Sequence, residues 1–185
     1  RVNKTRIGDF IVGNNDLVLD AGETAYLDIE LKNTGQTGAA KLYAIARSTD
    51  PGVTVIDSTS IYPDLAAGAK AYGLDPMRFS VAASVPDMHA VEFTIDVRDS
   101  TGRFWSEKFA LSVHAPVIEL YVNSLSDTLP YGNNNGIIEE GENFLLKISL
   151  KNFGSGVAQA IAGKIRSLDS DIVVVDSTSS YADIA

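Results

Sequence analysis

Residues 13–66 recur as residues 132–185 with no gap, at a constant displacement of 119 positions. This internal repeat constrains the fold more than any other feature, because a pattern kept over that length marks one structural unit built twice. "GNNDLVLDAGE" (Gly13–Glu23) returns as "GNNNGIIEEGE" (Gly132–Glu142), and "LDIELKNTG" (Leu27–Gly35) as "LKISLKNFG" (Leu146–Gly154). "ARSTDPGVTVIDSTSIYPDLA" (Ala46–Ala66) returns as "IRSLDSDIVVVDSTSSYADIA" (Ile165–Ala185). The repeats divide the chain into residues 1–115 and 116–185, with the junction near Pro116. The second copy stops at the position of Ala66, without counterparts of Ala67–Val113. The expectation is a polypeptide that continues beyond Ala185, or whose tail is not included.

Within each copy the apolar residues alternate with a period of two. Leu27, Ile29 and Leu31 face away from Asp28, Glu30 and Lys32, and Leu146, Ile148 and Leu150 keep the same parity. That is the pattern of a half-buried antiparallel strand. Val91, Phe93, Ile95 and Val97 alternate with Glu92, Thr94, Asp96 and Arg98 before the turn "DSTG" (Asp99–Gly102). On the return strand Trp105 shares parity with Phe109, Leu111 and Val113, which predicts a core position for the indole. "KLYAIAR" (Lys41–Arg47) is apolar on both parities, but its copy "AIAGKIR" carries Lys164 where Ile45 stands. The outer set is therefore Tyr43, Ile45 and Arg47. No segment has a helical period, so the chain is all-β. About seven short strands per unit predict tandem immunoglobulin-like β-sandwiches, the second one incomplete.

The succession "GNNDLVLDAGETAYLDIELKNTG", "RSTDPGVTVIDSTSIYPDLAAG" and "FTIDVRDSTGRFWSEKFALSV" resembles the immunoglobulin-like, CARDB-like repeats of large secreted bacterial surface proteins. Similar modules follow the catalytic domains of gingipain-type peptidases. The resemblance rests most on "G-E" before a strand and on a strand ending "K-N-T-G". It implies a non-catalytic spacer or adhesion module, extracellular or at the cell surface. Its implied partners are other domains of the same polypeptide or cell-surface components.

Charge narrows the partners independently. A net charge of −9 is the reverse of a nucleic-acid footprint. No apolar run is long enough to span a bilayer. The absence of cysteine removes thiolate metal sites and cysteine nucleophiles. His89 and His114 have no ligand spacing and read as loop and linker residues. No nucleophile elbow, phosphate loop or dinucleotide fingerprint occurs, and no catalytic residue is assigned.

One candidate for chemistry remains. Asn14, Asp16, Asp20 and Glu23 place oxygens at short spacing, as calcium ligands do, and Asn133, Asn135, Glu139 and Glu142 offer a second set. Ca2+ is the candidate ion; the competing reading is a polar turn between strands. Two other functions stay open. One is a carbohydrate-binding accessory module of a secreted hydrolase, using Tyr43, Tyr72 and Phe104. The other is a filament subunit whose second unit is completed by a neighbour's strand.

Overall fold

A computed structural model describes the backbone of residues 1–185 and all side chains except those of Ile11 and Val12. The chain is all-β and divides into two compact units, Arg1–Ala115 and Pro116–Ala185. Unit 1 holds β1 (Val2–Val12), β2 (Thr24–Lys32), β3 (Leu42–Ser48), β4 (Val53–Asp57) and β5 (Thr59–Tyr62). It continues with β6 (Lys70–Tyr72), β7 (Met77–Val81), β8 (Ala90–Arg98) and β9 (Phe104–Ser112). This exceeds the seven or so strands expected, because three- to five-residue strands such as β4, β5 and β6 leave little periodic signal.

Unit 1 consists of two antiparallel sheets. One has the order β1-β2-β7-β4, with β6 also paired to β2; the other has the order β5-β3-β8-β9. Ala25, Leu27, Ile29 and Leu31 of β2 point inward between half-exposed neighbours, as their alternation requires. Met77, Phe79 and Val81 join them from β7. The second sheet contributes Leu42, Ala44 and Ala46 from β3 and Val91, Phe93, Ile95 and Val97 from β8. All belong to one apolar cluster. Phe79 meets Phe93 edge to face across the two sheets at 5.0 Å, and Phe93 stacks on Phe109 at 5.4 Å. Each large apolar side chain enclosed in this way stabilises unit 1 by about 1.5–3 kcal/mol.

The outer set of β3 is as its second copy indicates, with Tyr43 and Arg47 exposed and Ile45 half-buried. Trp105 departs from its predicted core position and is 42% exposed. Its parity is inward, but it lies near the start of edge strand β9, where it borders a cavity with Arg1, Leu31 and Glu107. Arg103 lies over its ring at 5.6 Å.

The Asp99 turn joining β8 to β9 is held by its carboxylate. The Thr101 amide and hydroxyl and the Arg103 amide donate to Oδ1, and Arg103 Nε donates to Oδ2 at 2.6 Å. Burial alone would raise this carboxyl, but those bonds outweigh it and hold it at about 2. A folded value below the unfolded 3.8 makes a contribution that is complete above 3.8 and lost as pH falls toward about 2. Asp99→Asn is therefore expected to lower the urea midpoint of unit 1 at neutral pH. The gap between wild type and variant should close between about pH 4 and pH 2. A gap that stays constant over that range would contradict the assignment.

Unit 2 contains β10 (Ile118–Ser126), β11 (Leu145–Asn152), β12 (Ala162–Lys164) and β13 (Thr178–Ser180). The pair β10-β11 corresponds to β1-β2, including an irregularity near the start: Val2/Lys4 in one, Leu120/Val122 in the other. The pair β12-β13 keeps the β3-β5 register, with Ala162 opposite Ser180 as Tyr43 is opposite Ile61. The difference lies in burial. Leu27 is 1% exposed, whereas its copy Leu146 is 44% exposed. Among the described residues of unit 2, Ala158 is the buried hydrophobic.

Candidate functional site

The acidic loop between β1 and β2 is organised by two carboxylates at its ends. Asp9, at the loop end of β1, is fully buried. Its Oδ2 accepts the Asp16 amide at 3.1 Å and its Oδ1 the Leu17 amide at 3.3 Å. Glu23, immediately before β2, is also buried. Its Oε1 accepts the Asn14 amide at 3.0 Å and its Oε2 the Asp20 amide at 3.1 Å. Asn14 and Asp16 cap the amides two residues ahead, those of Asp16 and Val18, at 2.9 and 2.8 Å. Asn14 Nδ2 donates to Asp20 Oδ2 at 2.9 Å. Asn and Asp side chains fix tight turns by this means.

The candidate ligands of the first loop are thus gathered together, but largely around backbone amides. Among the described residues no group of three carboxylates or imidazoles is placed to hold a metal ion. Electrostatics act on two of the acids. Burial first, then the neighbouring Asp16 charge, raises the Asp20 carboxyl above its usual range. Burial raises Glu23.

The second loop repeats the arrangement. Asp127 Oδ2 accepts the Asn135 and Gly136 amides, each at 2.9 Å. Glu142 accepts the Asn133 and Glu139 amides, both at 3.2 Å. Asn133 Oδ1 accepts the Asn135 amide, and the Asn133 and Asn135 side-chain amides donate to Glu139 Oε2.

Asp9 and Asp127 organise the two loops, yet the sequence repeat does not align them. Asp9 stands four residues before Gly13, whereas Asp127 stands five before Gly132, so the constant displacement pairs Asp9 with Thr128. One extra residue lies within Thr128–Tyr131, and β10 matches β1 at a displacement one residue shorter. An aspartate preceding both loops, allowed one residue of slack, was the available signal. The loop glycine is required by close approach. A Cβ on Gly13 would lie 2.4 Å from the Asp9 carbonyl oxygen and 2.7 Å from Glu23 Oε1. A Cβ on Gly132 would lie 2.6 Å from the Asp127 carbonyl oxygen.

Backbone strain distinguishes the loops. Leu17 has φ of 67°, where its copy is Gly136 at 78°. A side chain in this left-handed region costs about 1–2 kcal/mol, partly offset by the greater entropy that glycine loses on folding. Leu17→Gly is expected to stabilise unit 1 by about 0.5–1 kcal/mol in urea titration. Destabilisation would show that Leu17, 65% exposed, makes compensating contacts.

Two other motif residues also act on backbone. Asn33, immediately after β2, donates to the Thr37 and Leu65 carbonyls and accepts the Gly35 amide. Asn152, ending β11, does the same with Gly156, Ile184 and Gly154. The histidines are engaged too. His89 Nε2 lies 2.7 Å from Asp50 Oδ2, and this bond holds the Asp50 carboxyl below its usual range. His114 is not a loose linker: its amide donates to Leu19 and its carbonyl accepts from Ala21, tying the acidic loop to the end of unit 1.

The aromatic candidates fall on different sheets. Ile61, Tyr43, Arg98 and Phe104 form one row across β5, β3, β8 and β9. Ile61, Tyr43 and Phe104 are 50%, 43% and 52% exposed, and Arg98 lies over the Phe104 ring at 5.5 Å. Tyr72 belongs to the other sheet, under Arg6 at 4.0 Å. In unit 2 the row is lost, with Ala162 and Ser180 in place of Tyr43 and Ile61.

No family model matches the chain, and no curated protein matches it. Among solved structures it is similar to the major pilin subunit BcpA of Bacillus cereus, at 11% identity and a TM-score of 0.32. That match covers 99% of this chain and 65% of the pilin chain, so the chain spans just under two thirds of that protein's length.

Proposed function

We propose that the chain is a non-catalytic spacer or adhesion segment of a larger bacterial surface or secreted protein, built from tandem immunoglobulin-like sandwiches. The observation that carries this reading is how the polar motif residues are used. Asp9, Glu23, Asn33 and Asp99 all hold backbone, and Asp127, Glu142 and Asn152 repeat the first three roles in unit 2. Groups fixed on backbone amides and carbonyls shape loops; a reacting site needs groups that converge on a substrate. Partners would be other domains of the same polypeptide or cell-surface components. No helix of the described residues is long and apolar enough to cross a membrane.

Stretching the chain from its ends tests the mechanical role. Unit 1 should resist and then unfold in one discrete event, releasing about 400 Å of extended chain less its folded span. Gradual extension without a force peak would exclude a load-bearing spacer.

The charge interaction between Asp16 and Asp20 favours a second role for the first loop, because a divalent cation would relieve it. If Ca2+ binds there, melting temperature rises in millimolar calcium over EDTA, and Asp16→Ala removes the rise. Equal melting temperatures would leave the loop as a hydrogen-bonded turn. The Tyr43–Phe104 row keeps carbohydrate binding testable by glycan array. Binding abolished by Tyr43→Ala would replace the spacer reading.

A further inference from the structure

The outer face of the β1-β2 pair in unit 1 carries an open groove of about 640 Å3. It is lined by Arg6, Gly8 and Phe10 of β1, Tyr26 and Asp28 of β2, Pro76 and, from the acidic loop, Leu17. Small-ligand sites span about 300–1,000 Å3. Its apolar wall is the Phe10 ring stacked on Tyr26, with centroids 5.2 Å apart and planes at 16°. Gly8 makes room for the stack, since a Cβ there would lie 3.2 Å from Phe10 Cε1. Its charged groups are Arg6 and Asp28, opposite one another across β1 and β2. Arg6 lies over the Tyr72 ring, and Asp28 has no hydrogen-bond or ion-pair partner among the described residues. Leu17 joins the wall from a left-handed backbone at φ 67°. Strained residues of this kind cluster where ligands are held.

Unit 2 supplies an internal comparison. It repeats the loop anchors Asp9, Gly13 and Glu23 as Asp127, Gly132 and Glu142. It does not repeat the groove. Arg6 and Asp28 correspond to Ser124 and Lys147, and Gly8 and Tyr26 to Ser126 and Leu145. Phe10 and Leu17 correspond to Thr128 and Gly136. The loop and the strand pair therefore form without these side chains, and the groove is a property of unit 1 beyond its fold.

We propose that this groove is a binding site for a neutral saccharide. One guanidinium and one carboxylate face the occupant, so any charged ligand meets a group of its own sign. An apolar ligand would strip both groups of water and return no hydrogen bond. Hydroxyl groups both donate and accept, so neighbouring hydroxyls of one sugar ring satisfy the pair: one donates to Asp28, the other accepts from Arg6. The C–H face of the ring packs on the exposed Phe10 ring, whose negative π-surface attracts it, and Leu17 extends that contact. An extended peptide is a poorer occupant, because the sheet already uses its backbone groups in the β1-β2 ladder and offers no row of main-chain partners. The groove lies on the opposite sheet from the Tyr43–Phe104 row. It deepens the adhesion half of the proposed function and rests on it, whereas the mechanical half is tested by stretching alone.

An array of neutral glucan, mannan, galactan and chitin oligosaccharides, printed beside sialylated and uronate-containing ones, tests the proposal on the full chain. The strongest ligand is then titrated by calorimetry. A neutral oligosaccharide should bind, and the acidic ones more weakly. Asp28→Asn, which keeps the shape, and Tyr26→Ala should each weaken binding about tenfold. Leu17→Gly should weaken it about fivefold while raising the urea midpoint of Trp105 fluorescence, a split that a merely structural role does not give. The urea transition of each variant shows that it is folded. Unchanged affinity in Asp28→Asn and Leu17→Gly would overturn the site, as would binding of none of the neutral oligosaccharides. Preference for the acidic ones would overturn the neutral ligand. Binding lost with Tyr43→Ala but kept with Tyr26→Ala would move it to the other sheet and overturn the assignment. A proline-rich peptide bound in place of every oligosaccharide, and lost with Tyr26→Ala, would overturn the saccharide and make the occupant a peptide. Stretching is read without saccharide, so failure here leaves the mechanical half standing.

Discussion

Asp9→Ala is expected to destabilise unit 1 by about 3 kcal/mol, among the largest effects of any polar substitution in the chain. The carboxylate is fully buried and accepts the amides of Asp16 and Leu17. Hydrogen bonds to a charged acceptor contribute about 1.5–3 kcal/mol each, and losing the acceptor leaves both donors unsatisfied unless water enters. Alanine also leaves a small void beneath Gly13, whose backbone lies close over Asp9. Asp9→Asn keeps the shape and one acceptor oxygen, so about half the loss should return. Trp105 is the single tryptophan and belongs to unit 1, so its fluorescence during urea titration reports on this unit. Asp127→Ala, the equivalent change in unit 2, should leave that transition in place. A loss below about 1 kcal/mol for Asp9→Ala would mean that the loop holds its shape without its buried anchor.

The sequence made the sheet interiors legible and the loop anchor obscure, for physical reasons. Side chains in a strand alternate faces strictly, so Leu27, Ile29 and Leu31 declare their inward parity at once. Two copies of β3 resolved what one could not, since Lys164 is tolerated at the position of Ile45 when that position faces outward. Parity does not say where along a sheet the cover ends, and Trp105 illustrates this at the start of an edge strand. The acidic loop was visible as a cluster, but composition alone could not say whether its oxygens meet an ion or backbone amides. Asp9 escaped notice because it lies outside the gap-free window and one residue out of register with Asp127. The strands β5 and β6 are too short for periodicity, and tertiary pairing places them.

Leu27→Ala and Leu146→Ala occupy equivalent places in the two copies and should differ severalfold in cost. Leu27 is enclosed in a core shared by both sheets of unit 1, so truncation removes transfer free energy and leaves a cavity. The expected cost is about 3–4 kcal/mol, read as a lower urea midpoint of Trp105 fluorescence with little change in slope. Leu146 lies on the corresponding face of β11, but at 44% exposure much of its surface is already in water. Its truncation should cost less than about 1 kcal/mol, read by hydrogen exchange of peptides covering β11. The contrast separates sequence from context, because both leucines follow the same alternation and both flank an inward isoleucine. Equal costs would show that the face of β11 is covered in solution.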